Sequence, residues 1–200
     1  MIKREKVGGF MRKACAITGH HPRRFKWKYS ETNNGFKRLR RRMQEQLILL
    51  YEQGYREFWI DGNPGVGMWA GELLLQLREQ PEYREIRLMT ALTFDGFDGN
   101  WDARSKRRLS DLVRNSAEAI TVCRQKGNPV VCYKRRNYYM VDHADCLLAV
   151  YDNDPSVRSI TSAMVNYARK RERQIILIHP DTAKVSVEGQ SVSGAKKIMK

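Results

Sequence analysis

Nothing in the 200-residue sequence approaches the roughly 18 consecutive apolar residues that a membrane-spanning helix requires. The opening stretch, MIKREKVGGFMRK, is basic but lacks the apolar segment of a secretory signal, so a cytoplasmic location is expected. Cysteine is scarce, and Cys15, Cys123, Cys132 and Cys146 form no CxxC pair. Their wide spacing argues against a zinc site or a disulfide framework. Cys15 and Cys146 fall inside expected strands, where a free thiol behaves as a small buried hydrophobe. His21, His143 and His179 lack ligand spacing, so neither a metal nor another cofactor is expected. Internal repeats and a domain linker are also absent. Acidic residues are outnumbered: 22 Asp and Glu face 37 Lys and Arg, for a net charge of +15.

The remaining composition is that of a folded protein. Hydrophobic residues make up 42% and aromatics 10%, which excludes a disordered chain and supports one domain with a substantial core. The positive charge is uneven. Residues 1–42 carry 14 Lys or Arg against only Glu5 and Glu31, and further clusters stand at Arg104–Arg108, Lys134–Arg136 and Arg169–Arg171. Such a surface attracts polyanions, either nucleic acid or a small ligand with several phosphates. A solvated basic face that only aids solubility explains the same charge.

Hydrophobic patterning gives short apolar strands at 14–18, 58–60, 86–92, 119–123, 146–151 and 175–178. Helical spacing is read at 36–53, 64–80, 109–115, 134–141 and 159–171. Near-continuous apolar strands alternating with amphipathic helices imply an α/β fold, with a mainly parallel sheet covered on both faces as a three-layer sandwich. Residues 1–12 are read as a flexible basic leader, 13–180 as a single α/β domain and 181–200 as a polar tail.

In sheets of this class function concentrates where strands end. Those ends read Thr18-Gly19-His20, Asp61-Gly62-Asn63, Thr93-Phe94 and Tyr151-Asp152, each polar or glycine-bearing directly after an apolar strand. The segment EFWIDGNPGVGMWAGELLLQL adds a strand, a glycine-containing turn and a helix. Gly62, Gly65 and Gly67 would let backbone approach a ligand without Cβ interference, and the helix N-terminus suits a phosphate. The bend from Asn63 to Val66 is expected to floor a hollow that holds an anion.

Four segments carry a resemblance. AITGHHP at Ala16–Pro22, DGNPGVGMWAGE at Asp61–Glu72, Trp101 after the third strand, and RNYYMVDHADCLLAVYD at Arg136–Asp152 are together similar to the YpsA-type branch of the SLOG superfamily. These are Rossmann-like proteins related to DprA and to the LOG enzymes, and the likeness covers roughly residues 14–180. It implies a pocket for a nucleotide-derived molecule, with Thr18, Gly19 and His20 on one wall. Gly62, Gly65 and the next helix start would approach phosphate or ribose. Asn137 and Asp145 would stand near the far side and Thr161 at the last long helix. Homo-oligomers are common in this superfamily, so a dimer or larger assembly is expected. Two positions depart from the pattern. Gly67 replaces an acidic residue, and Ser159-Ile160-Thr161 replaces glycine-glycine-threonine. The LOG signature P-G-G-x-G-T-x-x-E is absent.

The individual residues allow more than one reading. Glu72 is either a pocket carboxylate or a helix glutamate paired with arginine. His20 contacts phosphate or caps a loop, and Arg136 holds a phosphate or belongs to a solvated basic run. Trp69 is read as core, and Trp101 as the ring placed to stack on a base. Tyr138 and Tyr139 either interleave with single-stranded nucleic acid or form a buried helix face. The expectation that follows is non-catalytic binding, for sensing or sequestration, of a nucleotide-derived signal such as an ADP-ribose- or NAD-like molecule. The alternatives are a LOG-like nucleoside-monophosphate hydrolase that uses Glu72, and DprA-like binding of single-stranded DNA.

Overall fold

The computed structural model describes residues 6–7, 10–123, 128–154 and 156–189. Nine strands are found among them: β1 (Lys6–Val7), β2 (Phe10–Met11), β3 (Lys13–Gly19), β4 (Tyr55–Ile60), β5 (Arg87–Leu92), β6 (Glu118–Thr121), β7 (Cys146–Val150), β8 (Gln174–Ile178) and β9 (Val185–Glu188). The helices are α1 (Asn34–Glu52), α2 (Val66–Arg78), α3 (Ala103–Asn115), α4 (Pro129–Asp142) and α5 (Ile160–Lys170). Strands β1 and β2 pair as an antiparallel ribbon. The other seven form one sheet in the order β6-β5-β4-β3-β7-β8-β9, parallel except where β9 runs against β8.

Period-two alternation sends neighbouring residues of each strand into two separate cores. On one face Cys15, Ile17, Phe58, Ile60, Leu148 and Val150 pack under α1, α2 and α3, which contribute Leu39, Met43, Leu47, Leu73, Leu74 and Leu112. On the other Ala14, Ala16, Trp59, Leu147, Ala149 and Leu177 pack under Met140 and Val141 of α4 and Met164 and Val165 of α5. Small alanines on β3 let α4 and α5 lie close, while the larger side chains face the three-helix layer. The expected three-layer α/β sandwich with a mainly parallel sheet is therefore the observed architecture.

Chain order places the cleft. The chain runs from β3 outward through β4, β5 and β6, then crosses back to β7 on the other side of β3. Loops that leave β3 and β7 in opposite directions open a crevice at the carboxyl edge, the switch point at which ligands bind in such sheets.

Three elements differ from the sequence reading. Helix α3 begins at Ala103 rather than Leu109, because Asp102 caps it by accepting the Ser105 N–H at 2.9 Å and the Ser105 hydroxyl at 2.7 Å. Its first turns carry Arg104, Lys106 and Arg107, which hide the apolar period. Helix α4 starts at Pro129 behind the Asn128 cap, inside a stretch whose polar residues suggest a loop. Strand β9 lies within the segment expected to be a polar tail; residues 190–200 are outside the described residues. Of the expected leader, residues 1–5 and 8–9 are also outside them.

Candidate functional site

A cleft of about 610 Å³ opens at the carboxyl edge of the sheet. Thr18, Gly19 and His20 line it from the end of β3, Asp61 and Asn63 from the end of β4, and Val66 and Gly67 from the first turn of α2. Trp101 closes one side, Tyr133, Arg136 and Asn137 of α4 another, and Ser159, Ile160 and Thr161 the start of α5. Arg23 and Arg24 stand at the mouth.

Arg136 is the centre of this arrangement. It is completely buried, which requires that its charge be matched by acceptors. Nη2 donates to Asp61 Oδ2 at 3.1 Å and to Asn137 Oδ1 at 2.9 Å, Nε donates to Asn137 Oδ1 at 3.1 Å, and Nη1 donates to Thr93 Oγ1 at 3.1 Å. All but one of the guanidinium N–H groups are thereby used by described residues. Burial lowers its pKa from the usual arginine value and the Asp61 carboxylate opposes that shift. The reading of Arg136 as part of a solvated basic run does not fit this position.

Asp61 is held from two sides. Beyond Arg136, its Oδ1 accepts the Asn63 backbone N–H at 3.1 Å and its Oδ2 the Asn63 side-chain amide at 3.0 Å. Directly beside it runs the first turn of α2. A Cβ at Gly67 would stand 1.8 Å from Asp61 Oδ1, so the absent side chain is the space that the carboxylate fills. Gly65 precedes the helix at φ 103°, where L side chains are strained, and offers no side-chain cap. The first turn of α2 has no side-chain cap and no acidic residue of its own; the Met68 N–H is taken by the Asn63 carbonyl at 3.1 Å, and the Asp61 carboxylate lies against Gly67.

On the β3 side His20 Nε2 lies 3.3 Å from Asp152 Oδ1, and Arg24 pairs with the same carboxylate. Burial is the main force that lowers the His20 pKa, partly offset by Asp152. His21 is lowered too, by burial and then by Arg23. Thr161 Oγ1 donates to the Gly19 carbonyl at 3.0 Å and so ties α5 to the end of β3.

Of the residues expected at the site, Thr18, Gly19, His20, Asn63, Val66, Trp101, Arg136, Asn137 and Thr161 are brought together on the wall of this one cleft. Gly62, Gly65, Glu72 and Asp145 are not. A Cβ at Gly62 would meet Leu109 Cδ1 at 2.6 Å, and one at Gly65 would meet Pro22 Cδ at 2.8 Å and the His20 carbonyl at 2.9 Å. At both glycines the absent side chain makes room for neighbouring protein atoms. The Glu72 carboxylate takes a two-pronged contact from Arg108, Nε at 2.5 Å and Nη2 at 2.7 Å, while Arg108 Nη1 reaches Glu31 at 2.8 Å. Burial works against the Arg108 charge, yet the bonds to Glu72 and Glu31 carry its pKa upward. Asp145 sits at the opposite end of β7, where it accepts the Ala14 N–H at 2.8 Å.

The aromatic readings separate in the same way. Trp69 is buried and donates its indole N–H to Glu31, as a core residue does. Trp101 faces the cleft, braced edge-on by Phe97 at 5.3 Å between centroids. Tyr138 stacks on Tyr167 of α5 at 3.7 Å, and Tyr139 packs on His143 and Trp59, so both rings are used between elements. Asp61, Tyr133 and Arg23 were not expected at the site. The Asp61-Gly62-Asn63 strand end carried a signal for the first; the other two had none of their own. Among the described residues no three His, Cys, Asp or Glu side chains cluster in a way that could hold a metal ion, and no helix is long and apolar enough to cross a membrane.

The YpsA family model, described as the YspA SLOG family, matches residues 15–183. The chain belongs to this family. Among relatives, the UPF0398 protein YpsA of Bacillus subtilis is 25% identical over 183 residues, covering 90% of this chain and 99% of the relative. A UPF0398 protein of Halalkalibacterium halodurans is 23% identical over 146 residues (73% and 75% coverage). One from Bacillus cereus is 24% identical over 142 residues (71% and 76%).

Proposed function

We propose that the cleft binds a phosphorylated, nucleoside-derived small molecule without transforming it, for sensing or sequestration. One observation carries this reading. The buried Arg136–Asp61 pair and the start of a helix with no side-chain cap border a single hollow whose mouth carries Arg23 and Arg24, an arrangement that favours an anion. Trp101 supplies a ring beside that anion site, which suits a base or ribose face. Three guanidiniums, Arg23, Arg24 and Arg136, outnumber the carboxylates of Asp61 and Asp152 around the mouth and floor.

The preference for binding over hydrolysis rests on where the carboxylates stand. Glu72 is engaged by Arg108 away from the cleft wall, and Asp61 is engaged by Arg136 and Asn63. Neither is arranged as a free base next to an open site.

Thermal unfolding in the presence of phosphate, AMP, ADP-ribose and NAD tests the proposal. A ligand at a hundredfold excess over its Kd stabilises by about 2.7 kcal/mol, and a chain of this size converts that into a rise of about 5–10 °C in Tm. The doubly substituted Asp61→Ala/Arg136→Met protein, which removes both charges together, should show no rise. No shift with any phosphorylated compound at millimolar concentration refutes the reading.

A further inference from the structure

A second hollow of about 340 Å³ lies between α4 and α5, and Asn137, Ser159 and Ile160 form walls of both it and the cleft. The two are consecutive compartments of one groove. Their chemistry differs. The cleft is floored by the Arg136–Asp61 pair, whereas the second compartment is walled chiefly by Val130, Tyr138, Ile160, Ala163 and Met164.

Two of these apolar residues are unusually open to solvent, Val130 at 69% and Ile160 at 48% exposure. Both stand at helix starts, where an apolar side chain makes no contribution to capping. Lys134 and Arg158 also line the compartment, and among the described residues neither has a hydrogen bond or ion pair; Lys134 Nζ lies 5.4 Å from the Tyr138 ring centre. Cations with no acidic partner beside an apolar slot complement a ligand that is negatively charged near a flat, apolar end.

We infer that the groove takes a two-ended ligand: an anionic linker at the Arg136 floor, one nucleoside end beside Trp101, and a second flat heterocycle in the slot between α4 and α5. This rests on the cleft reading above and narrows it from phosphorylated nucleosides in general to dinucleotides joined through a pyrophosphate. Asn137 and Ser159, shared by the two compartments, lie where the linker would pass from one to the other.

Calorimetric titration of AMP, ADP-ribose, NAD and diadenosine diphosphate into the full chain tests the inference, repeated with Val130→Asp and Ala163→Phe. Val130 is exposed enough for a charge to be accepted without loss of the fold, and a phenylalanine at Ala163 fills the slot. At least one dinucleotide should bind about tenfold more tightly than ADP-ribose, since burying one flat ring is worth that much. Each variant should erase this advantage and leave the affinities for AMP and ADP-ribose unchanged. Equal affinities for mononucleotide and dinucleotides, or a dinucleotide advantage that survives both variants, overturns the second compartment and leaves the cleft standing. Binding of none of the four compounds overturns both.

Discussion

Substitution of Gly67 by alanine is the sharpest probe of how the cleft floor is built. The added methyl would stand 1.8 Å from Asp61 Oδ1, far inside contact distance, so the carboxylate must swing away. Its bonds to Arg136 at 3.1 Å and to the Asn63 backbone at 3.1 Å then fail together. A completely buried guanidinium is left with Thr93 and Asn137 alone. Breaking a buried pair in this way costs about 3–5 kcal/mol, and replacing glycine by alanine in a helix returns up to about 1 kcal/mol. A net loss of about 2–4 kcal/mol is expected, seen as a fall of about 5–15 °C in Tm. Urea or thermal unfolding measures it.

The control makes the test strict. In an Asp61→Ala/Arg136→Met background no carboxylate fills the space and no buried charge needs it. There Gly67→Ala should be neutral or stabilise by up to about 1 kcal/mol, which is a reversal of sign. If Gly67→Ala is equally harmful in both backgrounds, the helix start itself cannot accept a side chain and the argument about Asp61 is wrong.

Glu72→Gln should lower stability by about 1 kcal/mol through its weakened contact with Arg108, and leave the affinity of any cleft ligand unchanged in titration. Thr161→Val removes the hydroxyl bond to the Gly19 carbonyl and should cost about 1–2 kcal/mol in denaturant unfolding. For His20, burial favours the neutral ring, so the folded-state pKa lies below the ordinary 6.5. The unfolded chain therefore binds the proton more readily. The contribution of His20 is complete above pH 6.5 and is lost as pH falls toward the folded value. Unfolding free energies measured from pH 8 to pH 5 should fall less steeply in His20→Asn than in the parent; since His21 is shifted the same way, some slope remains.

Much of the fold was legible because the signals are redundant. A strand such as CLLAV, buried on both faces, has no polar residue to confuse its assignment, and helix α5 after it has a clear apolar period. The elements that were misjudged are those in which polar residues occupy structural positions. Helix α4 is read only from 134, whereas it starts at Pro129 behind the Asn128 cap, and its buried Arg136 and Asn137 interrupt the apolar period that would have marked its full length. Arg104, Lys106 and Arg107 similarly mask the first turns of α3, and only the Asp102 cap marks its start.

The site was legible as a place and not as a mechanism of assembly. Strand ends that alternate with helix starts must gather at one edge of a parallel sheet, which is why nine of the expected residues share one wall. What spacing cannot reveal is which atoms fill the room that a glycine leaves. The pattern that this chain resembles places an acidic side chain at position 67, and its absence reads as a lost carboxylate. The geometry gives a different account: a carboxylate from the end of β4, Asp61, occupies that space, and Gly67 is the condition for its being there. With an acidic side chain at 67, Asp61 could not keep its present position, and Arg136 would have to find its counter-charge on the helix. In this chain the carboxylate beside the buried arginine comes from the strand end and not from the helix.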